Sequence, residues 1–297
     1  MGILFGLLTA FLWGSSDFVA RFAAHRIGAL RTTLYMQFSG FLLLTIFLPR
    51  VGGWGHLMDG SGWQPWAWGA LAGVANGIST LSLYRSFEVG KMAVVAPLSA
   101  SYPALTVVLA LLSGEHLTGR RILAIAFVLA GVVLVAGGEK APTENGGGSF
   151  ATSSETKKGN GIRWALTSAV GFGVLFWLLG TQVVPHVGYA ATVWMIRLTS
   201  SVVTAIVILS LKQPIALPRT AGPVPVWLIG MGLFDTGAFV LNNRGMQLEQ
   251  VSVVSVLASL YGAVTVMLAA IFLPEKISRW QWIGIIAIFA GIYLITR

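Results

Sequence analysis

The sequence predicts an all-α integral membrane protein: ten transmembrane helices, folded as two inverted five-helix repeats around a central cavity. Three observations predict it. Of 297 residues, 56% are hydrophobic and only 10% are charged, against about 25% charged in ordinary soluble domains. Ten apolar stretches approach the roughly twenty residues that a helix needs to cross hydrocarbon, at about 3–22, 30–48, 65–87, 92–112, 120–137, 161–183, 188–210, 224–247, 250–272 and 280–296. The last five stretches also echo the first five. KMAVVAPLSASYPALTVVLAL at 91–111 and QVSVVSVLASLYGAVTVMLAA at 250–270 share Val94/Val253, Leu98/Leu257, Tyr102/Tyr261 and Thr106/Thr265, all 159 positions apart.

The first apolar run, from Ile3 to about Ala23, is too long for the core of a cleavable signal and follows a start without Lys or Arg, so it is expected to be span 1. Gly or Pro marks many breaks between spans, among them Pro49, Gly52–Gly53, Gly90, Gly114, Pro185, Pro214 and Pro274. Gly69, Gly73 and Gly77 give span 3 a ridge of small residues on which another helix can approach closely. Pro97 and Pro103 can bend span 4. One segment differs. Between spans 5 and 6, GGEKAPTENGGGSFATSSETKKGNG is polar, glycine-rich and aperiodic, the composition of a flexible linker. The expected domains are therefore a first repeat at 1–137, a linker at 138–160 and a second repeat at 161–297. Five spans is an odd number, so the second repeat enters the bilayer from the opposite side. Lys and Arg concentrate in loops 1–2, 3–4, 5–6, 7–8 and 9–10, which places those loops in the cytoplasm and both termini outside.

Several function classes are excluded. The net charge of +9 is spread over short loops between apolar spans, where it sets topology; a nucleic-acid partner is not expected. The chain has no cysteine, and His25, His56, His116 and His186 have no ligand spacing, so no metal is expected. No GxxxxGK[ST] phosphate loop occurs, which argues against ATP. No convergent acid, base and nucleophile set is legible, so no enzyme and no cofactor are expected. The expected partners are a small-molecule solute and membrane lipids, with the chain acting as a monomer or, alternatively, a dimer.

Polar residues inside spans carry the functional information, because a charge at mid-bilayer costs about 2.5–3.5 kcal/mol and so normally faces a partner or a wet cavity. Asp235 lies near the middle of span 8, and Asn76 occupies the equivalent place in span 3. Helical spacing extends these into two faces, Asn76–Thr80–Tyr84 and Asp235–Phe239–Asn243. Span 4 offers Ser99–Tyr102–Thr106 and span 9 offers Ala258–Tyr261–Thr265. Their tyrosines would give an aromatic wall with a hydroxyl donor, while the threonines read as helix-packing residues. Arg197 in span 7, opposite Gln37 in span 2, is either a clamp for an anionic group of the solute or the permanent partner of Asp235. Asp17 precedes Arg21 by one turn, which suggests a local ion pair. Asp235, and secondarily Asp17, are also the candidates for carrying a coupling proton, a frequent task of acidic side chains in membrane transporters. Glu115 in GEHLTGRR and Glu275 in PEKISRWQ precede spans 5 and 10, where each would cap the following helix.

An apolar span, a short loop with Glu and then a span ending near Ala130–Gly131 or Ala290–Gly291, once per half and with a mid-helix proline in the first, resembles the EamA family of the drug/metabolite transporter superfamily. The resemblance covers essentially the whole chain outside the linker. It implies a basket in which helices 1, 3, 4, 6, 8 and 9 surround a cavity and helices 5 and 10 lie at the periphery. It also implies export of amino acids or other small metabolites across a bacterial inner membrane without ATP. Trp13 and Asp17 of span 1 and Trp177 of span 6 then become candidate wall residues. The family often has an arginine in the second span of each half; here span 7 keeps it as Arg197 while span 2 has Gln37. The expected function is a secondary transporter of a small organic metabolite such as an amino acid, working by alternating access. The alternative is a translocase for lipids or hydrophobic or cationic drugs on the same fold.

Overall fold

The structure, a computed structural model, describes residues 1–51, 60, 62–90, 92–137, 152–218, 222–272 and 278–296. Among these residues every regular element is helical. The first half comprises α1 (Gly2–Ile27), α2 (Ala29–Phe47), α3 (Gln64–Val89), α4 (Met92–Ser99), α5 (Pro103–Leu112) and α6 (Gly119–Gly137). The second comprises α7 (Thr152–Leu178), α8 (Val184–Val187), α9 (Tyr189–Ser210), α10 (Val224–Leu248), α11 (Val251–Ala258), α12 (Tyr261–Phe272) and α13 (Arg279–Thr296). Six stretches of the described residues are long and apolar enough to cross a membrane: Gly2–Ile27, Ala29–Arg50, Gly161–Val187, Tyr189–Ser210, Val224–Leu248 and Val251–Phe272. Helix α3 is as long as α1, but its buried face carries Asn76, Ser79, Thr80, Ser82 and Tyr84. The backbone of α7 is already helical from Thr152, within the polar segment between the halves. Residues 138–151 lie outside the described residues, as do Gly52–Gly53, His56, Pro274 and Glu275.

The surface and interior are inverted relative to a soluble protein. Leu4, Phe11, Leu42, Ile78, Val170 and Ile286 are exposed, whereas Thr9, Gln37, Asn76, Arg197, Asn242 and Thr265 are fully buried. Such an apolar exterior needs lipid around it. The paired loops between α1 and α2 and between α8 and α9 turn on Gly28 and Gly188, both at φ +84°, a conformation that glycine adopts without a steric penalty. Their N–H groups close the preceding helices on Ala24 O and Val184 O.

Packing between the halves comes in exchange-related pairs. Helix α1 lies along α10 and α3 along α7, while α2 packs on α9 and α6 on α13. Small residues permit each approach. A Cβ at Gly14 would stand 2.6 Å from Val264, and one at its counterpart Gly173 would stand 2.8 Å from Leu105. Beside them, the Thr265 hydroxyl donates to Gly14 O at 3.2 Å and the Thr106 hydroxyl donates to Gly173 O at 3.0 Å, so both threonines serve packing. At the periphery Gly131 lies against Gly284 and Ile288, and Gly291 against Ala124 and Val128.

Two expected spans are interrupted. The apolar runs at 92–112 and 250–272 read as continuous helices, yet each breaks near its middle, at 100–102 between α4 and α5 and at Ser259–Leu260 between α11 and α12. Pro103 explains the first break, because it has no N–H to continue the ladder. The turns there tighten to i→i+3 bonds, 3.3 Å for Ser101 N to Leu98 O and 3.2 Å for Leu260 N to Leu257 O. The continuous face Ser99–Tyr102–Thr106 therefore does not exist. Tyr102 and Tyr261 instead sit at the two breaks.

Candidate functional site

The breaks place their tyrosines on a cavity in the middle of the helix bundle. Helix α1 contributes Trp13 and Asp17, α3 contributes Thr80, Leu83 and Tyr84, and α7 contributes Phe172 and Phe176. Asp235 and Phe239 come from α10, with Tyr102 and Tyr261 completing the wall. All eleven side chains are buried. The cavity volume is about 30 Å³, room for one or two waters.

Eight of the eleven lining residues are exchange-related to one another. Trp13 and Phe172, Asp17 and Phe176, Thr80 and Phe239, and Tyr102 and Tyr261 are each 159 residues apart. The aromatic rings interlock: Trp13 meets Phe239 edge-on at 5.0 Å and Phe176 at 5.4 Å, and Tyr102 stacks on Tyr261 at 6.4 Å. The pairing of similar positions fails at two places. The Tyr102 hydroxyl donates to Ser255 O at 3.0 Å, but the buried hydroxyl of Tyr261 has no partner among the described residues. Asp17 and Phe176 occupy equivalent positions of the two halves, so a carboxylate in one half has an aromatic ring as its counterpart in the other.

Arg197 is fully buried behind this wall, between α2 and α10. Its Nη2 donates to Asp235 Oδ2 and its Nη1 to Gln37 Oε1, while the guanidinium lies 4.9 Å from the Phe239 ring centre. The ion pair with Asp235 that the sequence raises for Arg197 is present, and Arg197 does not line the cavity. Asp17 forms no ion pair with Arg21; its carboxylate points into the cavity, where Asp235 is the charged group acting on it.

Eight of the thirteen candidate residues line the cavity: Trp13, Asp17, Thr80, Tyr84, Tyr102, Asp235, Phe239 and Tyr261. Besides Arg197, four lie elsewhere. Asn76 donates to Ser200 Oγ at 3.1 Å, one turn too deep to reach the cavity. Ser99 is buried in α4, before the break. Asn243 donates to Tyr189 O at 3.3 Å. Trp177 donates to Ser113 Oγ at 2.7 Å on the outside, because Phe172 and Phe176 already occupy the inward face of α7 and the next residue is turned about 100° away. The sequence reading had missed Leu83, Phe172 and Phe176. Extending the repeat alignment through span 6 from Trp13 and Asp17 would have found both phenylalanines.

At the N-terminal end of the bundle, polar contacts tie the halves together. Arg121 Nη1 contacts Glu249 Oε1 at 3.0 Å and Gln250 Oε1, and Gln250 Nε2 donates to His116 O at 2.6 Å. Glu115 accepts from Ser252 Oγ at the start of α11. The expected cap on the following helix is therefore not what this glutamate makes; it reaches across to the other half.

A profile of the EamA-like transporter family matches residues 1–137 and 159–297, one copy on each half. The chain belongs to the EamA-like transporter family. No curated protein matches the sequence. A solved crystal structure, titled only as that of a protein, superposes with a TM-score of 0.73 at 21% identity, over 99% of this chain and 96% of the other; at that identity it speaks for the fold alone. An EamA-like transporter moves solutes and resides in a membrane, consistent with the apolar exterior and the six long apolar stretches.

Proposed function

We propose that this EamA-like protein is a secondary transporter that carries a small organic solute across the bilayer by alternating access, with ten spans in two inverted five-helix halves. The main support is the position of the cavity. It lies where exchange-related residues of both halves meet, beside two helices broken at matching places. Broken helices at a repeat interface are where membrane transporters characteristically place their solute. A cavity closed to about 30 Å³ must open to admit a metabolite, and exchange of the two halves supplies two equivalent ways of opening. The arrangement offers binding and reorientation and no acid–base–nucleophile set for bond chemistry.

The experiment is efflux from proteoliposomes loaded with a mixed pool of small metabolites, without nucleotide, with and without a pH gradient. Wild-type protein should release at least one organic solute faster than protein-free vesicles. A requirement for the pH gradient would identify proton coupling, and release without it would identify facilitated movement. No accelerated solute under either condition would remove the transporter reading.

A further inference from the structure

We infer that the solute recognised in this cavity is an organic cation, an amine with a compact apolar or aryl body, with Asp17 and the Tyr261 hydroxyl as its polar anchors. The inference rests on the transporter reading of the same cavity and adds the charge and shape of what is carried.

The charge follows from the wall. Among the described residues two carboxylates line the cavity and no cationic side chain does. Arg197 answers Asp235 from behind, with both terminal nitrogens already engaged by Asp235 and Gln37. Asp17 forms no hydrogen bond or ion pair among the described residues. A buried carboxylate without a counter-charge is costly. A proton or a cationic solute relieves that cost, a neutral solute supplies no counter-charge, and an anion adds repulsion from any ionised acid.

The second observation is independent of the acids. Tyr261 is 4% exposed and lines the cavity, yet its hydroxyl has no partner among the described residues, whereas its counterpart Tyr102 is bonded to Ser255 O. An orphaned hydroxyl aimed into a cavity is suited to accept from an ammonium group or donate to a polar substituent. The rest of the wall is ring surface. Seven of the eleven lining residues are aromatic, and the faces of such rings attract cations. A zwitterionic amino acid would have its ammonium satisfied but would bring its carboxylate into a wall that offers no cationic donor.

A charge-matched series tests this: 2-phenylethylamine, phenylalanine and 3-phenylpropionate share an aryl body and differ in charge. Binding to the purified full chain in detergent is measured at pH 7, and flux in proteoliposomes is measured against protein-free vesicles as the leak control. The amine should bind tightest and move fastest. Asp17→Asn should weaken amine binding about tenfold or more, Asp17→Glu should restore part of it, and Tyr261→Phe should weaken it less. Size-exclusion profiles of the variants should match the wild type. Tighter binding of phenylalanine or phenylpropionate, no binding of any of the three, or undiminished amine binding by Asp17→Asn would each overturn the cation assignment. Metabolite efflux could still stand in those cases. Amine binding without any flux would leave the cation assignment intact and remove the transport reading instead.

Discussion

Two tyrosines at equivalent positions have different surroundings, and their variants should behave differently. The Tyr102 hydroxyl is spent on Ser255 O, a bond that joins the break between α4 and α5 to α11. Tyr102→Phe should cost about 1 kcal/mol of stability, the net worth of a typical hydrogen bond, read as a lowered unfolding temperature in detergent. Tyr261→Phe removes a hydroxyl without a partner among the described residues, so it should leave that temperature unchanged and alter solute affinity only. Equal destabilisation by both would mean that Tyr261 has a structural partner after all. The Arg197–Asp235 pair makes the opposite kind of prediction. Removing either side alone strands a buried charge, at a cost of about 3–5 kcal/mol. Arg197→Met or Asp235→Leu should therefore yield little folded protein, and the double variant should recover most of the loss while failing to transport. A double variant no better than the singles would show that the two side chains do not act as a unit.

Helix contacts at the glycines carry the exchange relation into stability. A Cβ at Gly131 would stand 2.6 Å from Gly284 O, and one at Gly291 would stand 2.7 Å from Ala124 O. Because backbone cannot yield as a side-chain end can, Gly131→Ala and Gly291→Ala should each cost about 1–3 kcal/mol by overpacking, and by similar amounts. Gly230→Ala in α10, where nothing lies within 4 Å, should be neutral or should stabilise by up to about 1 kcal/mol through helix propensity. Thermal unfolding of the three variants reads the difference directly. The same elements show what the sequence could disclose. Span positions and the Tyr102/Tyr261 correspondence were legible because hydropathy and the 159-residue offset are properties of the chain itself. The break at 100–102 was legible only as a bend, from Pro103, and the one at Ser259–Leu260 was not, since no proline marks it and the apolar run continues across it. The inward face of α7 is legible only through the repeat, because Phe172, Phe176 and Trp177 are equally apolar and it is the 159-residue offset from Trp13 and Asp17 that picks out the two phenylalanines. Glu115 was misplaced for a related reason: local spacing suggests a cap, while its partner Ser252 is 137 residues away.

The assembled bundle is closed, and one of its closures has an identifiable fastening. Around the cavity the halves meet through rings, small residues and buried hydrogen bonds such as Tyr102 to Ser255 O, and at the N-terminal end they meet through Arg121, Glu249, Gln250 and the 115–116 loop. On the proposed mechanism this end must part when the cavity opens towards it. The Arg121 and Glu249 side chains are 25% and 20% exposed, so their pairing is worth no more than about 1 kcal/mol. That is enough to shift a two-state population about fivefold, and too little to unfold the protein. The chain contains no cysteine, so one introduced at Thr80, a cavity residue 5% exposed, reports opening without background. Arg121→Ala should raise the rate at which a membrane-impermeant maleimide, added from the side of the 115–116 loop, labels that cysteine by about fivefold. Glu249→Ala should do the same, and combining the two should add little, because both loosen one contact. Solute at saturating concentration should protect the cysteine in every case. If Arg121→Ala leaves the labelling rate unchanged, this polar cluster does not hold the end shut. Faster labelling from the opposite face instead would mean that the cluster favours the opposite conformation.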